Sequence, residues 1–145
     1  MTCGELSTHE VVTIEASASA ASAAALMRST HVGSLVVVDD AQAIVGILTD
    51  RDLALEVLGC GRDPQATTVA TVMSRDVLTA QVDDDLWQTL YRMRRRGCRR
   101  VPVIDQTGGL CGLLAVDDIL ERLVVGLQDI AAIARLEPHH EARRR

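Results

Sequence analysis

Gly46-Ile47-Leu48-Thr49-Asp50-Arg51-Asp52-Leu53 returns 66 residues later as Gly112-Leu113-Leu114-Ala115-Val116-Asp117-Asp118-Ile119. The register holds upstream without a gap. Val11 falls on Val77, Thr13 on Thr79, Met27-Arg28 on Met93-Arg94, Val37 on Val103 and Asp39 on Asp105. Two copies of one supersecondary unit, each too small to bury its apolar face alone, predict a paired body with a pseudo-two-fold relation. Such pairing leaves a cleft between the halves, and the cleft is the first place to look for function.

Each copy reads β-α-β-β-α. In the first, Val11 to Ile14 is a strand candidate, and Ser17 or Ser19 caps a helix to Thr30 that Gly33 ends. Leu35 to Val38 is a β-branched run suited to a strand buried on both faces. Asp39 to Gln42 is a turn, and Ile44 to Leu48 the return strand. Gly46 inside that strand signals a bulge or a close approach to the backbone. Thr49 opens a helix to Leu58, and Gly59 to Pro64 is a turn-rich linker. Thr67 or Thr68 then caps a short turn through Met73.

The second copy repeats the order: a strand at Val77 to Ala80, then a helix from Asp83-Asp84-Asp85 to Arg96 that stops at Gly97. Strands follow at Val101 to Ile104 and Leu110 to Leu114, with a hairpin turn at Gln106 to Gly109. The final helix starts near Val116, and its apolar residues from Ile119 to Ile133 keep helical spacing. Pro138 is expected to end it, leaving His139 to Arg145 as a mobile tail. The expected division is residues 1–64, 65–126 and a C-terminal helix extension with tail at 127–145.

Composition narrows the function classes. The 145 residues hold 48% hydrophobic side chains but no Phe, one Trp and one Tyr, so the core is aliphatic. Net charge is −5, which argues against nucleic acid as the main partner. Every one of the 15 basic residues is Arg. Cys3, Cys60, Cys98 and Cys111 form no C-x-x-C pair and have no His at ligand spacing, so the expectation is reduced thiols in the cytoplasm and no metal. No stretch reaches the ~18 apolar residues of a membrane span. The Ala/Ser-rich run at Ala16 to Ala25 lacks the basic leader of a signal peptide. His9, His31, His139 and His140 have no matched acid or thiol, so no catalytic pair emerges and an enzyme is the weakest reading.

The Gly-hydrophobic-hydrophobic-Thr-x-x-Asp-Leu signature at Gly46 to Leu53 resembles that of a CBS domain, named for cystathionine β-synthase. Thr71-Val72-Met73 and Arg99-Arg100-Val101-Pro102-Val103-Ile104-Asp105 support the likeness in the second copy. The tandem resembles a Bateman module, and the likeness covers about residues 5 to 125. The resemblance implies an α+β fold of two CBS repeats and dimerisation into a disc. It also implies regulation by an adenosine-containing ligand (AMP, ADP, ATP, S-adenosylmethionine) held between the repeats, with no required cofactor. The alternative is a structural, dimerising interaction module with vestigial sites.

Carried onto this chain, the family pattern makes Asp52 the ribose acceptor, because an ionised carboxylate suits a vicinal diol. Thr49 offers a hydroxyl to ribose or phosphate at a helix start. The same four residues also read as a capping box, with Thr49 as N-cap and Asp52 as its acidic partner. Thr13 and Ile14 match base-pocket positions, and Gly33, Ser34 and Leu35 match the strand whose backbone pairs with the adenine edge. Ile14 and Leu35 read equally well as core. The second site comprises Thr79, Arg100, Pro102 and Asp118, but Ala115 stands where Thr or Ser belongs. One lost hydrogen bond to a charged group costs about 1.5–3 kcal/mol, so the Asp52 site is expected to be the better of two unequal sites. Arg51, Arg99 and Arg100 are phosphate candidates within an arginine-rich stretch that also reads as a solvated helix end. Trp87 and Tyr91 share a helix face and read as packing or dimer surface.

Overall fold

The structure is a computed structural model describing residues 1–143, with side chains described through Arg135. Its elements are α1 (Cys3–Leu6), β1 (Thr13–Glu15), α2 (Ala20–Thr30), β2 (Ser34–Val38), β3 (Ile44–Thr49) and α3 (Asp50–Asp52), which runs into a π-helical turn at Leu53–Leu58. The second half holds α4 (Val69–Val72), β4 (Ala80–Gln81), α5 (Leu86–Arg96), β5 (Arg100–Ile104), β6 (Leu110–Ala115) and α6 (Val116–Arg143). Two three-stranded sheets result, β1-β2-β3 and β4-β5-β6, each with one parallel and one antiparallel pairing. The α+β class and the duplicated architecture stand as expected.

The 66-residue shift survives into hydrogen-bond detail. A register shift between Val37 and Val38 recurs between Val103 and Ile104. Asp39 Oδ1 accepts from the amides of Ala41 and Ala43, and Asp105 Oδ1 does the same for Thr107 and Gly109. Helix α2 is capped by Ser19 Oγ, which accepts from the Ser22 amide, and α5 by Asp85 Oδ1, which accepts from the Gln88 amide. α2 closes on His31 and α5 on Gly97, both left-handed (φ 57° and 66°). His31, not Gly33, is therefore the stop of α2; a histidine tolerates this region better than most side chains.

The halves exchange their leading segments, which sequence periodicity did not reveal. Helix α1 lies on the second repeat: the Cys3 and Gly4 amides donate to the carbonyls of Asp84 and Val82 at 2.9 Å, and Thr8 pairs with Leu113. Cys3 Sγ donates to Thr89 Oγ1 at 3.3 Å inside that core. Helix α4 lies on the first repeat, with Ser74 paired to Ile47 and Val69, Val72 and Met73 in the core beside Ile14, Leu35 and Leu48. Each aliphatic core is thus completed by a four-residue helix from across the linker. Gly46 and Gly112 admit these crossings. A Cβ on Gly46 would stand 2.4 Å from Met73 Sδ, and one on Gly112 would stand 2.5 Å from Ser7 Oγ.

Three boundaries differ from expectation. The first strand begins at Thr13, and Val12 contributes to it only its carbonyl, which accepts from the Val36 amide at 3.1 Å. The fourth strand keeps only Ala80 and Gln81, the two positions that pair with β5. Helix α6 runs through Pro138 instead of ending there; a proline inside a helix removes one backbone hydrogen bond without making the helix impossible. Residues 139–143, expected as a mobile tail, continue this helix, and residues 144 and 145 lie outside the described residues.

Candidate functional site: a cleft between the repeats

A cavity of about 560 Å³ opens between the repeats. One wall is the segment from Ser7 to Val12 that carries the chain from α1 back to β1. The second is Val32, Gly33 and Ser34 at the entry to β2, and the third is Arg100, Leu113, Ala115, Asp117 and Asp118. The exchange of leading segments builds this space, because Thr8 is pinned to Leu113 while Thr13 is already in the other sheet. The apolar lining is aliphatic, from Val11, Val12, Val32 and Leu113. The polar lining is Ser34, His9, Arg100, Glu10, Asp117 and Asp118.

Ser34 lines the cavity, and among the described residues its hydroxyl makes no hydrogen bond but stays open to solvent, since no buried side-chain polar atom lacks a partner. Among the described residues the Asp118 carboxylate is likewise unpartnered. Its image Asp52 is not. Asp52 Oδ2 accepts from the Thr49 amide at 2.8 Å, and the Asp52 amide donates to Thr49 Oγ1 at 3.1 Å. Thr49 and Asp52 therefore form the reciprocal capping box, whereas Ala115 has no hydroxyl to close one with Asp118. The missing hydroxyl that weakens the second motif in sequence leaves its carboxylate free in space.

Of the predicted site residues, the cavity gathers Gly33, Ser34, Arg100 and Asp118. Thr13 is exposed on β1, and Ile14 and Leu35 are core. Thr49 and Asp52 are half-buried in the cap described above, and Arg51 is exposed beside them. Thr79 precedes β4, and Pro102 is fully buried in β5 opposite Leu113. Arg99 pairs with Asp117 at 2.7 Å on the rim. The rest of the arginine stretch serves α5: Arg92 pairs with Asp84 at 2.6 Å, Arg96 with Asp76, and Arg94 and Arg95 lie over the Tyr91 ring at 5.6 and 6.0 Å. Thr8, His9, Glu10 and Asp117 line the cavity without having been singled out. Only the repeat could have signalled the first three, as images of Ser74, Arg75 and Asp76.

CBS domains match residues 3–59 and 69–125. The chain belongs to the CBS-domain family. It is 35% identical over 112 residues to the CBS domain-containing protein YhcV of Bacillus subtilis, covering 77% of this chain and 78% of that one. A Methanopyrus kandleri protein, MK0525, is 32% identical over 118 residues, 81% of this chain and 60% of its own length. The CBS pair of protein MJ0100, solved with 5′-methylthioadenosine and S-adenosyl-L-methionine, superposes with a TM-score of 0.76 at 25% identity, over 87% of this chain and 97% of that one. Inosine-5′-monophosphate dehydrogenase of Mycobacterium tuberculosis is 37% identical over 98 residues, 67% of this chain but 17% of the enzyme. The likeness to such enzymes is confined to their CBS regions, and CBS pairs are in general regulatory. No helix among the described residues is long and apolar enough to cross a membrane, and none of their side chains cluster as metal ligands.

Proposed function

We propose that this CBS pair is a regulatory sensor that binds an adenosine-containing small molecule in the cleft between its repeats. The observation that carries the reading is the cavity of about 560 Å³ that presents an unpartnered carboxylate, Asp118, beside the Ser34 hydroxyl. A carboxylate is an acceptor-only group suited to a ribose diol. The valine and leucine walls suit a purine face, and backbone at Gly33-Ser34 suits its polar edge. The methylthioadenosine and S-adenosylmethionine held by a solved relative support the same class. AMP, ADP and ATP belong to it as well. The motif alone ranked Asp52 first; the geometry supports Asp118 as the primary acceptor, because the Asp52 carboxylate is occupied by its own helix start.

A thermal-shift screen against adenine nucleotides, S-adenosylmethionine, 5′-methylthioadenosine and NADH tests this. A ligand at 100-fold its Kd stabilises by about 2.7 kcal/mol, which raises Tm by roughly 5–10 °C in a chain of this size. Asp118→Ala is expected to abolish the best shift. No shift with any of these compounds would leave the vestigial-site alternative standing. Turnover of the best hit on incubation would refute the regulatory reading.

The reading also includes pairing with a second copy. Leu120, Val124, Leu127, Ile130 and Ile133 are exposed along α6, and an apolar groove runs between Met1, Leu6 and the same helix. The four unpaired thiols fit a reducing compartment such as the cytoplasm.

A further inference from the structure

Each repeat leaves the same helical face uncovered, and the two faces differ in relief. In the first repeat, α2 and the π-helical turn flank a hollow of about 550 Å³ whose lining includes Ala21, Ala24, Ala54 and Leu58. Shifted by 66 residues, Ala21 becomes Trp87, Ala54 becomes Leu120 and Leu58 becomes Val124. The exposed Ala25 becomes Tyr91, which shares the α5 face of Trp87. The image positions line one hollow, so the second-repeat side chains belong to one face. That face protrudes: Trp87, Tyr91, Leu120 and Val124 are 56%, 54%, 55% and 52% exposed. Contiguous apolar surface of this kind marks an interaction site.

The charges beside the two faces are opposite in sign. The one charged side chain lining the hollow is Asp50, which forms no ion pair among the described residues. On α5, Asp84 and Asp76 neutralise Arg92 and Arg96, whereas Arg94 and Arg95 lie over the Tyr91 ring without an acidic partner among the described residues. A second copy could meet these faces in two ways. Like on like sets Arg94 and Arg95 against their own copies and closes hollow on hollow, which encloses an apolar void and forfeits its dispersion contacts. Unlike on unlike places the rings in the hollow and the arginines beside Asp50. A two-fold axis then makes the same contact twice.

We propose that two copies of this chain pair antiparallel, the second repeat of each on the first repeat of the other: Trp87 and Tyr91 fill the alanine-lined hollow of the partner, with Arg94 and Arg95 beside the partner's Asp50. The inference rests on the pairing reading above and adds to it which face meets which. The alanines at the image positions are what make room for the rings, so the divergence of the repeats is itself the complementarity.

Trp87 is the only tryptophan in the chain, so tryptophan emission reports the burial of this one residue. Sedimentation equilibrium and emission spectra of the full chain are compared for wild type, Trp87→Ala, Ala24→Arg and an equal mixture of the two variants. Both positions are exposed, so folding is not at stake, and melting temperatures check it. Wild type is expected to sediment as a dimer whose emission shifts red on dilution. Each variant alone is expected to weaken pairing about thirtyfold or more, the effect of losing a central aromatic anchor. Ala24→Arg is also expected to shift the Trp87 emission red, although it lies on the other repeat. In the mixture, Trp87→Ala keeps an open hollow and Ala24→Arg keeps the tryptophan, so an antiparallel pair recovers one of its two docked faces. The mixture is expected to be heavier than either variant at the same total concentration, with emission shifted back to the blue. A mixture no heavier than its components, with wild type dimeric, overturns the antiparallel arrangement alone. A monomeric wild type overturns the pairing reading itself and leaves the hollow to an unlike partner.

Discussion

Replacing Ala115 by threonine rebuilds in the second repeat the cap that the first one has. Thr49 Oγ1 accepts the Asp52 amide at 3.1 Å, and the Asp52 carboxylate returns to the Thr49 amide at 2.8 Å. Ala115 immediately precedes α6, and Asp118 stands at the position of Asp52, so only the hydroxyl is missing. The added atoms would project into the cavity of about 560 Å³, where there is room for them. An alanine-to-threonine change at an N-cap is worth about 1 kcal/mol, or roughly 2–4 °C in Tm for a chain near 150 residues. The same change turns the Asp118 carboxylate toward its own backbone, as in Asp52. Ala115→Thr is therefore expected to raise Tm in the ligand-free protein while weakening adenosyl binding at Asp118, read by circular-dichroism melts and calorimetry on one preparation. A Tm that falls or stays level refutes the capping argument. A Tm gain with tighter binding refutes the claim that a free Asp118 is what the cleft uses.

Four further outcomes follow from the same geometry. His31→Gly relieves a left-handed side chain and is expected to stabilise by about 0.5–1 kcal/mol, whereas Gly97→Ala at its image destabilises by about 1 kcal/mol; paired urea titrations measure both. Asp105→Asn removes the negative charge from the Oδ1 that accepts from three donors in the hairpin turn, and is expected to lower Tm at neutral pH. The Thr107 hydroxyl and the turn amides lower the Asp105 pKa below 3.8, so its stabilisation is present above pH 3.8 and is lost as pH falls below it; the Tm gap between variant and parent should close on acidification. Burial raises the thiol pKa of Cys3, Cys98 and Cys111, so a maleimide at neutral pH should modify exposed Cys60 first, read by intact mass after brief exposure. Leu127→Glu with Ile130→Glu should lower the mass in sedimentation without lowering Tm below that of the isolated chain; an unchanged mass removes α6 from the pairing surface.

Much of the fold was legible because it is written twice. Periodicity placed α2, β2, β3, α5, β5 and β6 within a residue or two of where they lie, since each hydrophobic run is bracketed by a cap or a turn residue. Where no tertiary partner was visible in the pattern, the reading slipped. Val77 to Thr79 has strand composition but only Ala80 and Gln81 find a ladder partner. The four residues of α1 are too short to show a period and exist as a helix because Thr2 and Glu5 box it in and Cys3 is buried across the chain.

The site was legible in part for the same reason. The motif pointed to Asp52 and Asp118 as equivalents and to Gly33, Ser34 and Arg100 beside them. It could not say which carboxylate is free, since capping and ligand binding use the same residue types at the same spacing. Nor could it place Thr8, His9 and Glu10 against Leu113, over a hundred residues away. The sequence by itself determined the duplication, the strand and helix order and the aliphatic core, because these depend on local pattern and composition. Tertiary structure decided that each half borrows its leading helix from across the linker, and that the cleft at Asp118 holds an unoccupied acceptor. Both depend on which distant surfaces meet, a property no single window of residues contains.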